Sequence, residues 1–267
     1  MAQRECENVL AEKMLTTIDR ALGVLRLFTM ERSEWTVEEA AAAIGQPTSS
    51  VDRYFRSLTE AGLIVNFAGG RYVVGPAIIE LDRQTRLSDP LIISAAPSLE
   101  RLLQTSGLPA VGLLCRKYGV RVMCVDQRLR HDVINGLSYE RGRPMPLFRG
   151  SASKIILANL APRILRRCFE EAGEEASQAG LGGTWDEFRE GLKTIRRSGI
   201  SVTEGELDPG ALGISAPIFG PEDEIVASVS LVSRADASDA ARRSELIQLV
   251  REAARDTSAA LQRRAIG

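Results

Sequence analysis

Between Thr36 and Ala61 the chain carries two short amphipathic stretches separated by Gly45-Gln46-Pro47, which leaves room for a tight turn and little else. The Thr36 hydroxyl can accept from the Glu39 backbone while the Glu39 carboxylate reaches back, a capping box that fixes where a helix starts. Val37, Ala40, Ala41 and Ile44 then recur with helical period, and Gly45 followed by Pro47 stops the run. A second helix is predicted from about Thr48 to Ala61. It gathers Val51, Tyr54, Phe55, Leu58 and Ala61 on one side and Ser49, Ser50, Asp52, Arg53, Arg56 and Ser57 on the other.

This pattern predicts a helix-turn-helix whose second helix reads DNA. Small hydroxyls at a helix N-terminus allow close approach to a major groove, and arginine reaches phosphates or guanine edges. Thr48, Ser49, Ser50 and Arg53 are the expected first contacts, with Arg56 beside them. The competing reading is an ordinary helical hairpin with a solvated polar face. The flanks favour the first. Upstream, Ile18, Ala21, Leu22, Leu25 and Phe28 predict a third helix covering the other two. Downstream, Leu63-Ile64-Val65, a turn over Asn66 to Gly70, and Arg71-Tyr72-Val73-Val74 predict a two-stranded hairpin. Three helices and a hairpin make a winged helix-turn-helix over residues 15–75, with Arg71 placed to touch backbone phosphate and residues 1–14 as a flexible tail.

The sequence resembles the IclR family of bacterial transcriptional regulators. The likeness lies in Thr17-Ile18-Asp19-Arg20-Ala21-Leu22, in Gly45 to Arg53 and in Gly70-Arg71-Tyr72-Val73-Val74-Gly75-Pro76. It continues through Gly142 to Ala158 and Gly199 to Pro217. The resemblance implies a winged domain joined by a linker helix to an effector-binding domain similar to GAF sensors, working as a homodimer or tetramer on operator DNA.

Gly75-Pro76 ends the wing, and Pro76 suits the first turn of a helix that carries Ala77, Ile78 and Leu81 to about Leu87, a linker over residues 76–89. Its apolar residues would be covered by a second subunit. Asp89-Pro90 starts the next helix, in which Pro97 predicts a kink. Residues 90–267 read as an antiparallel sheet flanked by helices, so the fold class is α+β. Ala110 to Cys115 and Val120 to Asp126 form one hairpin; Ile200 to Glu204, Ala211 to Ile218 and Ile225 to Val232 supply further strands. Thr184 and Glu187 make a second capping box, Gly173 to Gly183 reads as a loop, and Leu246, Leu249, Val250, Ala253 and Leu261 mark a long final helix.

In this half Arg149-Gly150-Ser151-Ala152-Ser153-Lys154 precedes the apolar helix Ile155-Ile156-Leu157-Ala158. Backbone N–H groups at a helix start, with a hydroxyl and a guanidinium beside them, suit a small carboxylate. The resemblance places the effector pocket here and implies Ser151 and Ala152, then Thr203, Gly213, Ser230 and Val232, with Ile134, Leu137 and Met145 as an apolar wall. Thr203 stands where the family often has an acidic residue, Val232 where it has a hydroxyl, Gly213 replaces a more reactive side chain, and Arg149 replaces a small one. The expected ligand is therefore an organic acid other than the family's small keto acids, its carboxylate on Arg149 or the Ser151 amide, with Glu204 or Glu206 available for an amine. The plainer alternative pairs Arg149 with Glu206 and leaves Ser151 as a cap.

Charge adds a constraint. Between residues 15 and 75, Arg20, Arg26, Arg32, Arg53, Arg56 and Arg71 are outnumbered by Asp19, Glu31, Glu34, Glu38, Glu39, Asp52 and Glu60. Phosphate neutralisation supplies much of the affinity for DNA, so one such domain is expected to bind weakly and two or more to act together. No apolar run approaches the roughly 20 residues that span a bilayer, and the acidic start at Arg4-Glu5-Cys6-Glu7 is unlike a secretory signal; a cytoplasmic protein is expected. Cys6, Cys115, Cys124 and Cys168 with a lone His131 have no zinc-ligand spacing. They read as structural thiols, with a redox pair at Cys115 and Cys124 as the alternative. There is no GxSxG, HExxH or P-loop, and His131 lies in a polar loop, so neither an enzyme nor a cofactor is expected. A metabolite-sensing module without DNA binding remains the rival, kept open by Asp52 and the acidic balance.

Overall fold

The computed structural model describes residues 16–119, 121–130, 138 and 140–266, and the chain divides into two compact units, residues 1–85 and 86–267. The expected tail, Cys6, Val120, His131, Ile134 and Leu137 lie outside the described residues.

The first unit contains α1 (Thr17–Leu25), α2 (Val37–Ile44), α3 (Thr48–Glu60) and the antiparallel pair β1 (Ile64–Ala68) and β2 (Arg71–Val74). The capping box of α2 forms as the sequence requires: the Glu39 N–H donates to Thr36 Oγ1 at 3.2 Å and the Thr36 N–H to Glu39 Oε2 at 3.1 Å. Gly45 ends the helix at φ 61°, a left-handed conformation that glycine adopts without steric cost. Val51, Tyr54, Phe55 and Leu58 of α3 are buried with Val24, Trp35, Ala40, Ala41 and Ile64 in one core.

Two expectations for this unit are corrected. The helix α1 ends at Leu25, before Phe28, and the buried residue in it is Val24; Ile18 and Leu22 are 70% and 52% exposed. The predicted stripe therefore only partly faces the other helices. The hairpin turn is tighter than Asn66 to Gly70, with strand pairing reaching Ala68 and Arg71. The core also holds Trp35, whose backbone bridges to Tyr72 of β2 and whose indole N–H donates to the Leu27 carbonyl at 2.8 Å.

Helix α4 (Ala77–Ser88) buries none of its residues, and Ile79, Leu81 and Leu87 are exposed. The second unit continues with α5 (Pro90–Ser106), which Asp89 caps by accepting from the Leu91 N–H at 2.8 Å. Pro97 lies within this helix, which runs on for 17 residues. Strands β3 (Ala110–Tyr118), β4 (Arg121–Arg130), β5 (Pro144–Pro146), β6 (Ser201–Glu204), β7 (Ala211–Phe219) and β8 (Ile225–Arg234) form one antiparallel sheet in the order β5-β4-β3-β8-β7-β6. Helices α6 (Ser151–Ala158), α7 (Pro162–Gln178) and α8 (Trp185–Ser198) share a core with one face, and α5 and α9 (Ala240–Ile266) with the other.

The predicted loop from Gly173 to Gly183 is corrected in its first part, while residues 179–183 do lie outside any helix or strand. Helix α7 continues to Gln178, with a break in helical geometry at Ala172. Gly173 marks that kink, and the following Glu174, Glu175, Ala176, Ser177 and Gln178 resume the helix because Ala176 is fully buried in the core. Helix α6 also starts earlier than predicted, at Ser151, and all eight of its residues are buried. The second capping box, Thr184 with Glu187, forms at the start of α8.

Candidate functional site

The α3 face opposite the core is where a nucleic acid would be met. Its N-cap is Pro47, which offers no side-chain cap, while its carbonyl takes the Ser50 N–H at 2.9 Å and the Val51 N–H at 3.2 Å. The first turn leaves the Thr48 and Ser49 N–H groups without an intrahelical acceptor, the arrangement that suits an anion such as a phosphate. Thr48, Ser49, Arg53 and Arg56 are exposed and Ser50 is half-buried.

The cations differ in how they are held. Among the described residues Arg53 makes no ion pair, whereas Arg56 pairs with Asp52 on the same face at 2.9 Å. Arg71 is drawn to Glu39 at 3.6 Å and Glu34 at 3.9 Å. Arg32 pairs with Glu39 at 2.8 Å and stacks over the Trp35 ring at 3.4 Å. The Thr36 backbone N–H, followed by the Arg32 guanidinium, holds the Glu39 carboxyl below its ordinary range. Arg71 thus meets carboxylates in the free chain, and any phosphate must compete with them.

The second candidate site lies under α6. On β7, Leu212, Ile214 and Ala216 belong to the core shared with α5 and α9, so Gly213 and Ser215 face α6. On β8 the alternation is the same, with Ser228, Ser230 and Val232 on the α6 side. A small, polar sheet surface lets the helix approach closely. A Cβ added to Gly213 would lie 2.6 Å from Ser151 Oγ and 3.3 Å from Thr203 Oγ1, so only a residue without a side chain fits undisturbed. Ser151 Oγ accepts from Ser215 Oγ at 2.7 Å, and Ser215 and Ser230 share a hydrogen bond of 2.6 Å. Ser228 donates to the Ala152 carbonyl at 3.3 Å.

Ser151, Ala152, Thr203, Gly213 and Ser230 are therefore brought together. Met145 belongs to the same core as Ala152. Ser215 is the member that the sequence reading missed, although its place two residues after Gly213 put it on the same face of a strand. Arg149 is exposed and outside the cluster. Glu206 pairs with Lys154, Nζ to Oε1 at 2.5 Å, and accepts from the Gly150 N–H at 3.0 Å. The Arg149–Glu206 pair considered above is corrected accordingly, and Glu206 is not free for an amine. Glu204 follows Thr203 in β6, faces the opposite way and is held by Arg243 at 2.9 Å, which removes it from the cluster.

Two open clefts, of about 510 and 400 Å³, lie elsewhere in this unit, the first between β7 and α9 around Arg251 and Arg255, the second around Arg234 and Asp236. Cys115 and Cys124 face each other in β3 and β4, both fully buried. The hydrogen bond to Cys124, together with burial, pushes the Cys115 thiol well up and keeps it protonated. Among the described residues no group of three or more His, Cys, Asp or Glu side chains is placed to hold a metal, and no helix is long and apolar enough to cross a membrane.

Comparison with known proteins agrees with this layout. Residues 17–66 match the IclR helix-turn-helix domain, and residues 85–259 match the bacterial transcriptional regulator IclR C-terminal family. The chain is 28% identical to the HTH-type transcriptional regulator BhcR of Paracoccus denitrificans over 246 residues, covering 91% of this chain and 86% of that protein. It is 26% identical to the HTH-type transcriptional regulator KipR of Bacillus subtilis over 226 residues, 80% of this chain and 84% of that one. Among solved structures, an IclR homologue from Microbacterium hydrocarbonoxydans, complexed with 4-hydroxybenzoate, superimposes with a TM-score of 0.71 at 19% identity, covering 92% of this chain and 99% of that one.

Proposed function

Because the chain belongs to the IclR family of bacterial transcriptional regulators, we propose that it binds operator DNA through α3 and the hairpin, under the control of a small organic acid taken up by residues 90–267. The observation that carries the DNA reading is the start of α3. Its first N–H groups, the Thr48 and Ser49 side chains and Arg53, which makes no ion pair among the described residues, share the exposed side of a helix whose other side is clamped in the core. Ser50, Arg56 and Arg71 complete the contact set, Arg56 and Arg71 by exchanging carboxylates for phosphates. The division of labour is a winged domain over 15–75, a linker over 76–89 and an effector domain, of GAF type, over 90–267. The protein works in the cytoplasm as a homodimer or tetramer.

For the effector, the first turn of α6 offers the Ser151 and Ala152 N–H groups to a carboxylate, and the hydroxyls of Ser151, Ser215 and Ser230 can rearrange around its oxygens. Thr203 and the close approach of Ser151 to Gly213 shape the site, and Met145 lines it, with Ile134 and Leu137 as further wall residues. Arg149 is kept as a candidate at the rim. The Microbacterium hydrocarbonoxydans homologue holds a hydroxylated aromatic carboxylate, which supports the same ligand class here. Control requires that the acid prefer one arrangement of the winged domains over another.

The experiment is fluorescence anisotropy with labelled duplexes from the promoter beside the protein's own gene. A duplex that resists competition by random DNA, and whose affinity shifts on adding one member of a carboxylate panel, supports the proposal. Binding no tighter than to random DNA across all fragments would overturn it in favour of a metabolite sensor without DNA binding.

A further inference from the structure

The hairpin tip carries an aromatic side chain that the fold does not use. Phe67 of β1 is 75% exposed. The pairing of Asn66 with Tyr72 and of Ala68 with Arg71 leaves it as the extra residue of a β-bulge, the device by which a strand re-aims one side chain. Residues 65–70, Val-Asn-Phe-Ala-Gly-Gly, hold no charge. The turn at Gly69 and Gly70 is slender, with nothing within 4 Å of where either Cβ would be. The base of the hairpin is fixed to α3: Ile64 is buried beside Tyr54, Phe55 and Leu58, and the Tyr72 ring meets Phe55 edge-on at 4.8 Å. Phe67 therefore projects from a rigid mount, three residues or roughly 10 Å beyond Ile64.

Resting on the proposed DNA reading, we infer that Phe67 is a minor-groove wedge: when α3 occupies the major groove, the Phe67 ring enters the neighbouring minor groove and partly unstacks a base step, bending the duplex. An uncharged tip is poorly suited to phosphate. A minor groove about 6 Å wide admits a side chain but not a two-stranded ribbon, so contact falls to the residue that stands out from the hairpin. Apolar wedges of this kind kink DNA toward the major groove. The wedge also answers the shortage of cations, since Arg32, Arg56 and Arg71 are all engaged by carboxylates of the same unit. Binding then draws on buried aromatic surface and on the contacts a bent duplex adds, which must offset the cost of unstacking, where ionic contacts are few.

The test takes the duplex most enriched from a random pool by the full chain, and measures affinity and end-to-end energy transfer for wild type, Phe67→Leu and Phe67→Ala. Wild type should bend the duplex by about 20–90°. Phe67→Ala should bind about tenfold more weakly and leave it straight, with Phe67→Leu between them; Phe67 is exposed, so circular dichroism should not change. Equal affinity and equal bending in Phe67→Ala would overturn the inference while leaving the DNA reading intact. A change in the sedimentation mass of free Phe67→Ala would also overturn it, by assigning the ring to a protein contact. Failure to enrich any duplex would sink the DNA reading and the wedge with it.

Discussion

Replacing Gly213 by alanine should be costly, and the cost should depend chiefly on one oxygen atom. The added Cβ would sit 2.6 Å from Ser151 Oγ, well inside contact distance. Either Ser151 turns and breaks its 2.7 Å bond to Ser215, or α6, buried along its whole length, moves off the sheet. The first route strands a buried hydroxyl and the second overpacks the core, each worth about 1–3 kcal/mol. A loss of about 2 kcal/mol corresponds to a urea midpoint lower by about 1 M if the slope is about 2 kcal/mol per molar. Ser151→Ala alone should cost about 1 kcal/mol, because Ser215 keeps its bond to Ser230. In the double variant the closest oxygen is gone, the Ser151 Cβ is at an ordinary 3.5 Å, and the Thr203 hydroxyl at 3.3 Å has only to give slightly. Its stability should match that of Ser151→Ala, a coupling of about 2 kcal/mol. Urea unfolding in a Trp35→Phe background, where Trp185 is the remaining tryptophan and reports on this unit, measures all three. Additive losses, with the double variant weaker than either single one, would refute the reasoning.

Glu206→Ala leaves Lys154, 8% exposed, without its carboxylate and the Gly150 N–H without its acceptor, and should cost about 2–3 kcal/mol in urea unfolding. Adding Lys154→Met should recover most of it. Asp52→Asn removes a carboxylate from the exposed side of α3 and releases Arg56, so DNA affinity should rise about two- to fivefold at low salt and the gain should fade at high salt. Because the folded state holds the Glu39 carboxyl below its ordinary value of 4.5, its contribution to stability is full above that value and is lost as pH falls through the folded-state value. Wild type should therefore exceed Glu39→Gln in unfolding midpoint at neutral pH, with the difference closing in acid.

What the sequence made legible was local. Thr36 with Glu39 and Thr184 with Glu187 act over three residues, and both capping boxes form where they were read. The α3 stripe has one core to face, and Val51, Tyr54, Phe55 and Leu58 all enter it. The first helix was harder, because an apolar residue does not say which neighbour will cover it; Ile18 and Leu22 turn out to face away from the core. At Gly173 the glycine signal was real but marked a kink, since the burial of Ala176 holds the helix together beyond it. The α6 site shows the same limit. Lys154 and Glu206 are 52 residues apart and Ser151 and Ser215 are 64 apart, so no periodicity pairs them. Glu204 looked available only because its partner Arg243, 39 residues away, was not visible in one dimension.

The most direct test of DNA binding by α3 is the salt dependence of affinity for the promoter duplex, measured for wild type and Arg53→Ala. Wild type should bind specifically and weaken steeply with salt. Arg53→Ala should lose affinity and, if Arg53 contacts phosphate, its log–log salt slope should be shallower by about one. Arg53→Ala binding indistinguishable from wild type at every salt concentration would contradict the placement of α3 on DNA.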